Sequence, residues 1–415
     1  MNTVRDNVER ANYHHLVMDI AWFGLALAAT TRFLQFFALR MGATPMDIGW
    51  ISSLPGLILV FSTALAGWWR SHYRDSVSAV WIPSIIFRFV FLLPAFAPFF
   101  PAEWRVAWII ASAMLPALGQ GVSSAIFMMM IRDTVSDQVI PSLLTRRYLA
   151  LNVAITLSSL GFGLMLDALP FPINYQIMFV VAFGFSMVSQ WHLGRLRILY
   201  PPTAEEEQRS KPRPLGKLFS EPNFMAVAIV TFVSFFAFHL LFAVVPLHLE
   251  RALLASEGWM GLFGGVEVAA GILISLRLDS IRVRLGNRRI IGYSLLGLAL
   301  AAMVIALAPN MLVALVGAAL TGAGWTAISI CSLSYFAEKT AHGDMQASVV
   351  FHQLLFVSIF IGPIMGTSIV SLGISTVSML ILGALVRLGG GWFLLALHSL
   401  RPSHRDTMRL PAVGD

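Results

Sequence analysis

The chain has 415 residues, of which 57% are apolar and 12% charged, and its mean hydropathy is +0.77. Soluble globular domains carry roughly 25% charged residues, so this composition excludes an ordinary soluble fold. The formal net charge of +7 would also suit a nucleic-acid-binding protein. The positions of the charges along the chain therefore have to decide between nucleic acid and membrane.

Apolar runs of spanning length predict the architecture. A hydrocarbon core of about 30 Å needs roughly 20 apolar residues per helix, and runs of this kind fill most of the chain. We place the predicted spans at 16–39, 46–69, 76–99, 104–130, 143–168, 173–195, 222–247, 256–278, 288–308, 310–336, 344–370 and 374–399. The expected fold class is an all-α membrane protein with twelve transmembrane helices.

The cationic residues predict an orientation in the membrane. Of the 28 lysines and arginines, Arg40, Arg105 and Arg251 fall in loops on one side, and three more fall inside spans. All the others fall in loops and tails on the opposite side. The positive-inside rule assigns that side to the cytoplasm. We therefore predict cytoplasmic termini in the cell (inner) membrane, and the charge needs no nucleic-acid partner.

The longest polar stretch, 197–221, divides the chain into two similar parts. It predicts a cytoplasmic tail 1–15, a six-helix bundle 16–196, a cytoplasmic linker 197–221, a second bundle 222–400 and a tail 401–415. Gly49-Trp50 opens predicted span 2, and Gly258-Trp259 opens predicted span 8. Paired glycines recur likewise in predicted spans 4 and 10. This order of matches predicts two pseudo-symmetric bundles built as parallel repeats.

Two parallel six-helix repeats joined by a charged loop resemble the major facilitator superfamily, in which substrate binds near the membrane midplane between the halves. The loop after predicted span 8 is similar to the family's charged loop motif. The resemblance implies that such loops close a cytoplasmic gate with charged partners at neighbouring helix ends. The loop and partner residues that it points to are Asp279, Arg284, Gly286 and Arg288, with Asp133, Arg146, Arg147 and Glu338.

Predicted span 11 contains Gly362-Pro363 and Gly366, which looks like the glycine-proline motif of proton-driven exporters. Glycines four residues apart let helices approach closely and slide, so we expect these residues to act in gating. The family's arginine on helix 4 is absent, with Ala117 in its place. Span 5 also lacks the exporters' glycine-proline motif. The subfamily is therefore left unassigned.

Four ionisable residues fall near the middle of predicted spans, where a charge costs about 2.5 to 3.5 kcal/mol or more. They are Arg32, Arg88, Glu267 and Arg387. Small residues flank Glu267 on its helix face, which leaves room for a ligand or an arginine. We predict that Glu267 carries a proton and that Arg32 binds carboxylate or phosphate. A fixed structural pair between these two residues is the alternative, and structural pairing is expected for the other two arginines.

Other polar and aromatic residues complete the predicted substrate and coupling set, namely Gln35, Gln120, Trp325 and His239. Histidine titrates near neutral pH, which suits proton coupling. The sequence has no P-loop, zinc-protease signature or nucleophile elbow, and Cys331 is its only cysteine. We therefore expect neither enzyme activity, cofactor nor bound metal.

The expected function is that of a secondary active transporter. By alternating access it would move a small organic solute, anionic or amphiphilic, with proton coupling, as a monomer in the lipid bilayer. Two alternatives stay open. One is efflux of drugs or other hydrophobic compounds, and the other is a non-transporting membrane factor for assembly or pigment handling.

Overall fold

The computed structural model describes residues 2–200, 215–340 and 345–397. Residues 201–214 of the predicted linker and the predicted tail 401–415 lie outside the described residues. In the described ranges the chain is helical, with turns and short 3-10 segments between the helices. The prediction of an all-α protein is confirmed.

Eleven helices within these ranges are long and apolar enough to cross a membrane, and a helix pair bent by 40° forms a twelfth unit. We number these units as spans 1 to 12 in chain order. Their bounds are Asp6–Arg40, Pro45–Ala64, Ser76–Phe91 with Leu93–Phe99, Ala102–Thr134, Ile140–Ala168, Ile173–Leu193, Pro222–Arg251, Glu257–Leu285, Asn287–Ala306, Met311–Lys339, Gln346–Ser371 and Thr376–Ala396. Each span overlaps its predicted counterpart.

Capping residues visible in the sequence fix where several spans begin. Thr44 and Asp47 form a capping box at the start of span 2, which satisfies two backbone donors that the first helical turn leaves unpaired. Ser256 and Asn310 cap spans 8 and 10 through their side chains. Gly286, with φ of +76°, separates spans 8 and 9, a conformation that glycine adopts without strain.

Four spans depart from a regular α-helix, and one of them, span 4, is divided into Ala102–Met114 and Ala117–Thr134. Span 1 contains a π-helical turn at Ala29–Phe33. Span 3 continues as 3-10 helix at Leu93–Phe99, where Pro94 and Pro98 remove backbone donors. Span 7 consists of two helices, Pro222–His239 and Val244–Arg251. Residues in the irregular parts of spans 1 and 7 matter for the site described below.

The spans pack as two bundles of six, spans 1 to 6 and spans 7 to 12. Span 1 packs on spans 5 and 6, and span 9 packs on spans 10 and 12. The bundles meet where span 2 contacts span 11 and where span 5 contacts span 8. We call this contact surface the seam. The domain boundaries given above from the sequence stay predictions.

The first fifteen residues, predicted as a cytoplasmic tail, include side chains that contact the first bundle. Helix continues from Asn2 into span 1. The Asn12 amide donates to the carbonyl oxygens of Thr134 and Arg197, each at 2.8 Å. The Glu9 carboxylate accepts from the backbone of Ser136 at 2.5 Å. The tail was predicted from its polar composition. The hydrogen bonds of Asn12 and Glu9 could not be predicted, because they join residues that are far apart in the sequence.

Candidate functional site

An ion pair crosses the seam midway along the spans. Arg32 of span 1 and Glu267 of span 8 approach to 2.5 Å between Nη1 and Oε2. Their side chains are 20% and 12% exposed, so the pair is neither dry nor fully solvated. The structure thus brings together the two residues that the sequence places at a central site, one from each bundle.

The π-helical turn in span 1 carries Arg32. Thr30 and Thr31 both donate their hydroxyls to the Leu27 carbonyl, at 3.2 and 2.9 Å, and so satisfy an acceptor where the regular helical pattern changes. Single π turns inside α-helices are frequent at functional sites. This turn directs the arginine side chain across the seam to span 8.

Gly264 makes room for the arginine on span 8. Any larger residue there would place its first side-chain carbon 2.8 Å from Arg32 Nε and 2.7 Å from Ser159 Oγ. The Arg32 Nε atom is buried and has no hydrogen-bond partner among the described residues. Arginine has five N–H donors. Its contact with Glu267 therefore leaves donor capacity for a second anionic group.

Gln35 lies one helical turn beyond Arg32 and is 9% exposed. Its amide donates to the Ser52 hydroxyl at 2.7 Å, and Ser52 in turn donates to the Ile48 carbonyl at 2.8 Å. These bonds join spans 1 and 2 within the first bundle. Gln120 is half-buried on span 4.

His239 is placed differently from the prediction. It is 5% exposed, its Nδ1 atom lies 2.8 Å from the Phe235 carbonyl, and it packs against Trp325. Trp325 is half-buried and stacks on Phe238 with 4.0 Å between ring centroids. His239 makes no hydrogen bond to Arg32 or Glu267 in the described part of the chain. Its position is that of a packing residue, because aromatic rings enclose it.

The other two intramembrane arginines lie inside the bundles, each 3% exposed. Arg88 donates to the Ser186 carbonyl and the Ser189 hydroxyl, both at 2.7 Å, and lies 3.7 Å from Asp19 Oδ1. In the second bundle, the partners of Arg387 are three carbonyl oxygens at 2.9 to 3.0 Å. They belong to Ala237, Phe238 and Leu298.

The predicted gate partners of the first half turn toward their own bundle. Arg147 pairs with Asp19 at 3.1 Å and is buried, so its gating role stays a prediction with a partner inside the first bundle. Asp133 is also buried and accepts from the Ser76 hydroxyl. Arg146 is exposed and lies over the Tyr13 ring at 5.7 Å. Nothing in the sequence spacing distinguished Arg146 from Arg147.

The loop residues of the second half also contact only that half. Asp279 pairs with Arg282 at 3.1 Å, and Glu338 accepts from the Asn287 amide at 3.1 Å. Arg284 is exposed and Arg288 is half-buried. The ion pairs of Arg147 and Asp279 both lie within a single bundle.

The glycines of span 11 pack that helix on the broken part of span 7. A side chain at Gly362 would meet His239 at 2.7 Å, and one at Gly366 would meet Val244 at 3.1 Å. Pro363 is buried beside them. This contact lies within the second bundle, so it allows close packing there and does not close the seam.

The seam is closed on one side by residues that the sequence analysis missed. We call the side that holds the start of span 1 the terminal side, and the opposite one the far side. There Glu257 of span 8 accepts from Arg40 at 3.1 and 3.2 Å and from the Tyr175 hydroxyl at 3.2 Å. Its side chain is 9% exposed. Arg40 and Tyr175 belong to the first bundle.

A second carboxylate makes the reciprocal contact. Asp167, at the end of span 5, accepts from the Ser256 hydroxyl and the Gly258 backbone, both at 3.0 Å. It thereby caps the N-terminus of span 8, where unpaired N–H groups favour a negative charge. We call these two sets of contacts the far-side latch. Asp167 and Glu257 each lie near a glycine, the one signal that could have directed attention to them.

Close helix contact extends from the latch toward the midplane. A side chain at Gly163 would come within 2.9 Å of the Glu257 carbonyl, and Ser159 donates to the Gly261 carbonyl at 3.0 Å. Toward the terminal side the same face of span 5 is uncovered, because Leu149 is 53% exposed and Tyr148 is 37% exposed. In the described residues, the hydrogen bonds that cross the seam therefore lie at its far side and at the Arg32–Glu267 pair.

Comparisons with known proteins agree with this architecture. The sequence profile of the Major Facilitator Superfamily matches residues 21–363. A search of curated proteins gave no match. Three solved structures illustrate the shared fold. A D323A mutant of the nucleoside transporter NupG has a TM-score of 0.72 and 11% identity, covering 93% of this chain and 99% of its own.

The POT family transporter PepTSo has a TM-score of 0.70 and 12% identity, covering 92% of this chain and 97% of its own. The xylose transporter XylE from E. coli has a TM-score of 0.69 and 12% identity, covering 96% of this chain and 100% of its own. At such identities these similarities show the fold alone, while the profile match extends over most of the chain. The chain therefore belongs to the Major Facilitator Superfamily, and it is a multi-pass membrane transporter and not an enzyme.

Proposed function

We propose that the protein is a proton-coupled symporter of a small organic anion, with Arg32 as the anion-binding group and Glu267 as the proton carrier. The observation that carries the proposal is the partly exposed ion pair between the two bundles, midway along the seam. An amphiphilic anion with an apolar part would suit the same site, since span 10, which carries Trp325, packs closely on the Glu267 backbone at Gly322.

The pair gives a physical reason for coupling. While Glu267 is ionised, it occupies the guanidinium of Arg32 at 2.5 Å. Proton binding removes the negative charge of Glu267 and frees the fork of Arg32 for a carboxylate or phosphate on the solute. Proton and anion therefore favour each other's binding, and thermodynamic linkage makes this effect reciprocal. Both would then cross together.

Alternating access requires the seam to open on each side in turn. We infer that the present state opens toward the cytoplasm, because the positive-inside rule places the terminal side there. Opening the far side would separate Glu257 from Arg40 and Tyr175, and Asp167 from the start of span 8. These polar groups would then be exposed to water, which replaces their hydrogen bonds at modest net cost.

Proton flux in proteoliposomes tests the proposal. A trapped pH-sensitive dye reports acidification while the vesicles are exposed to a panel of organic acids, each paired with its neutral amide. We expect acidification with one or more acids and none with the matching amide. Arg32→Gln should abolish the response. Glu267→Gln should abolish proton flux while leaving exchange of the solute measurable.

Matched controls remove one charge elsewhere, at Arg105 and Glu103, which start span 4 on the far side. Arg105→Gln and Glu103→Gln should behave as the wild type. If the amides drive proton flux as well as the acids, and Arg32→Gln has no effect, the anion assignment is wrong. That result would favour the second candidate function, efflux of hydrophobic compounds, which the half-buried Trp325 stacked on Phe238 also suits.

A further inference from the structure

A cavity of about 490 Å³ lies on the terminal side of the second bundle, away from the seam pair. It is lined by the ends of spans 7, 8, 9 and 10, by Leu397 just after span 12 and by the short helix Leu215–Ser220. The transport mechanism proposed above does not use it. The volume is sufficient for a polar head group.

Cationic side chains dominate the polar lining. Arg288, Arg289 and Lys339 line the cavity together with one carboxylate, Glu338. Glu338 already accepts from the Asn287 amide at 3.1 Å. In the described ranges none of the three cations lies within 4.0 Å of a carboxylate oxygen. The cavity therefore has a net positive charge and favours an anionic ligand.

Asn287 gives a second, independent indication of the ligand's chemistry. It lines the cavity and is 9% exposed, and its side-chain oxygen is buried without a hydrogen-bond partner among the described residues. A buried acceptor of this kind costs about 1 to 3 kcal/mol when unpaired. A ligand that satisfies the whole lining carries an anionic group for the cations and a hydrogen-bond donor for Asn287.

The rest of the wall is apolar. Met225, Ile229 and Leu285 line the cavity, and Met225 and Leu285 are 39% and 38% exposed. These residues lie at span ends, where the acyl chains of a bilayer begin. A small soluble anion would leave this apolar surface uncovered, whereas an amphiphile would cover it.

We propose that this cavity binds the head group of an anionic phospholipid whose head group also carries a hydroxyl, as in phosphatidylglycerol. The phosphate binds Arg288, Arg289 and Lys339, a glycerol hydroxyl donates to Asn287, and the acyl chains follow Met225 and Ile229. Basic pockets between transmembrane helices bind anionic lipid head groups in the same way. Bound lipid would join the ends of spans 7, 9 and 10.

Native mass spectrometry of the delipidated protein tests this site, with phosphatidylglycerol, phosphatidylcholine and glycerol 3-phosphate as probes. The charge variant is Arg288→Gln with Lys339→Gln. Its matched control is Arg74→Gln with Arg132→Gln, which removes two exposed arginines from the terminal side of the first bundle. We expect phosphatidylglycerol to bind the wild type and the control at least tenfold more tightly than it binds the charge variant.

Met225→Trp provides a second variant, which keeps every charge and narrows the cavity at its apolar wall. It should also lower the affinity for phosphatidylglycerol. Thermal melting of each variant verifies folding. Equal affinity of the wild type for phosphatidylglycerol and phosphatidylcholine would overturn the proposal. So would equal affinity of the charge variant and the control. Binding of glycerol 3-phosphate as tight as that of the lipid would identify a soluble anion as the ligand, which also contradicts the proposal.

Discussion

The intramembrane charges occupy two different environments. Arg387 lies inside a bundle, 3% exposed, and its three hydrogen bonds go to backbone carbonyls of that bundle. Arg32 lies between bundles, 20% exposed on its side chain, and its partner is a single carboxylate of the other half. Moving the bundles apart would break the contact of Arg32 and leave those of Arg387 intact.

The comparison teaches that depth in the membrane does not by itself identify a functional charge. Ala237 and Phe238 belong to the last turn of the first helix of span 7, where carbonyls lack regular helical partners, and Phe238 has only a long bond from the Leu241 backbone at 3.4 Å. Arg387 supplies donors to both. It therefore stabilises a helix break, whereas Arg32 is held at a movable contact.

The largest expected effect is on stability. Arg387→Gln removes the donor to the Ala237 carbonyl at the end of a helix, and a buried acceptor costs about 1 to 3 kcal/mol when unpaired. We expect the free energy of unfolding to fall by about this amount, seen as a lower melting temperature in detergent. Arg277→Gln, at an exposed position on span 8, is the control. Equal melting temperatures for the two variants would mean that Arg387 has no structural role.

Substitution at the seam should separate function from stability. Glu267→Gln should reduce proton-driven transport at least tenfold and remove its dependence on pH, because the amide cannot bind a proton. In the wild type, transport should fall as pH rises, because fewer protons are then available to drive it. The melting temperature of Glu267→Gln should stay near that of the wild type, because the pair is partly exposed. A large loss of stability would place Glu267 with Arg387 as a structural charge.

Paired glycines on span 5 test the far-side contact. A methyl group at Gly163 would come within 2.9 Å of the Glu257 carbonyl, whereas Gly161 has no atom within 4 Å. Gly163→Ala should therefore shift the protein away from the far-side-closed state and slow transport severalfold. Gly161→Ala should transport as the wild type. Equal rates for the two variants would show that close approach of spans 5 and 8 is not required.

The smallest effect is expected at the latch. Arg40 is 45% exposed, so its pair with Glu257 contributes about 1 kcal/mol at most, or about fivefold in population. Arg40→Gln should raise the far-side-open fraction by no more than this factor. Fluorescence quenching of a label on the far side would measure it. A tenfold or larger change would mean that the latch controls the equilibrium.

Much of the fold was predictable from the sequence. Apolar length and the glycine repeats gave the twelve spans and the two bundles because these features depend on local composition. The sequence also placed Arg32 and Glu267 at one site, since the cost of burying each charge demands a partner. The π-helical turn at Ala29–Phe33 and the break in span 7 carry no comparable local signal.

The sequence did not predict which partner each charged residue contacts, because that depends on how the helices rotate against each other. Arg146 and Arg147 are adjacent, yet only Arg147 turns inward to pair with Asp19. His239 met the chemical criteria for coupling, but aromatic packing encloses it. Asp167 and Glu257 lie at helix ends, where charges are common, so a neighbouring glycine was the one feature that distinguished them.

The most direct test of the account is the distance between the bundles on the far side. After Cys331→Ser, spin labels at Ala102→Cys and Leu307→Cys report this distance by double electron–electron resonance. We predict one short distance at high pH and an added longer one at low pH, with the longer one present at every pH in Glu267→Gln. A single distance, unchanged by pH and by Glu267→Gln, would contradict a seam that opens when Glu267 loses its charge.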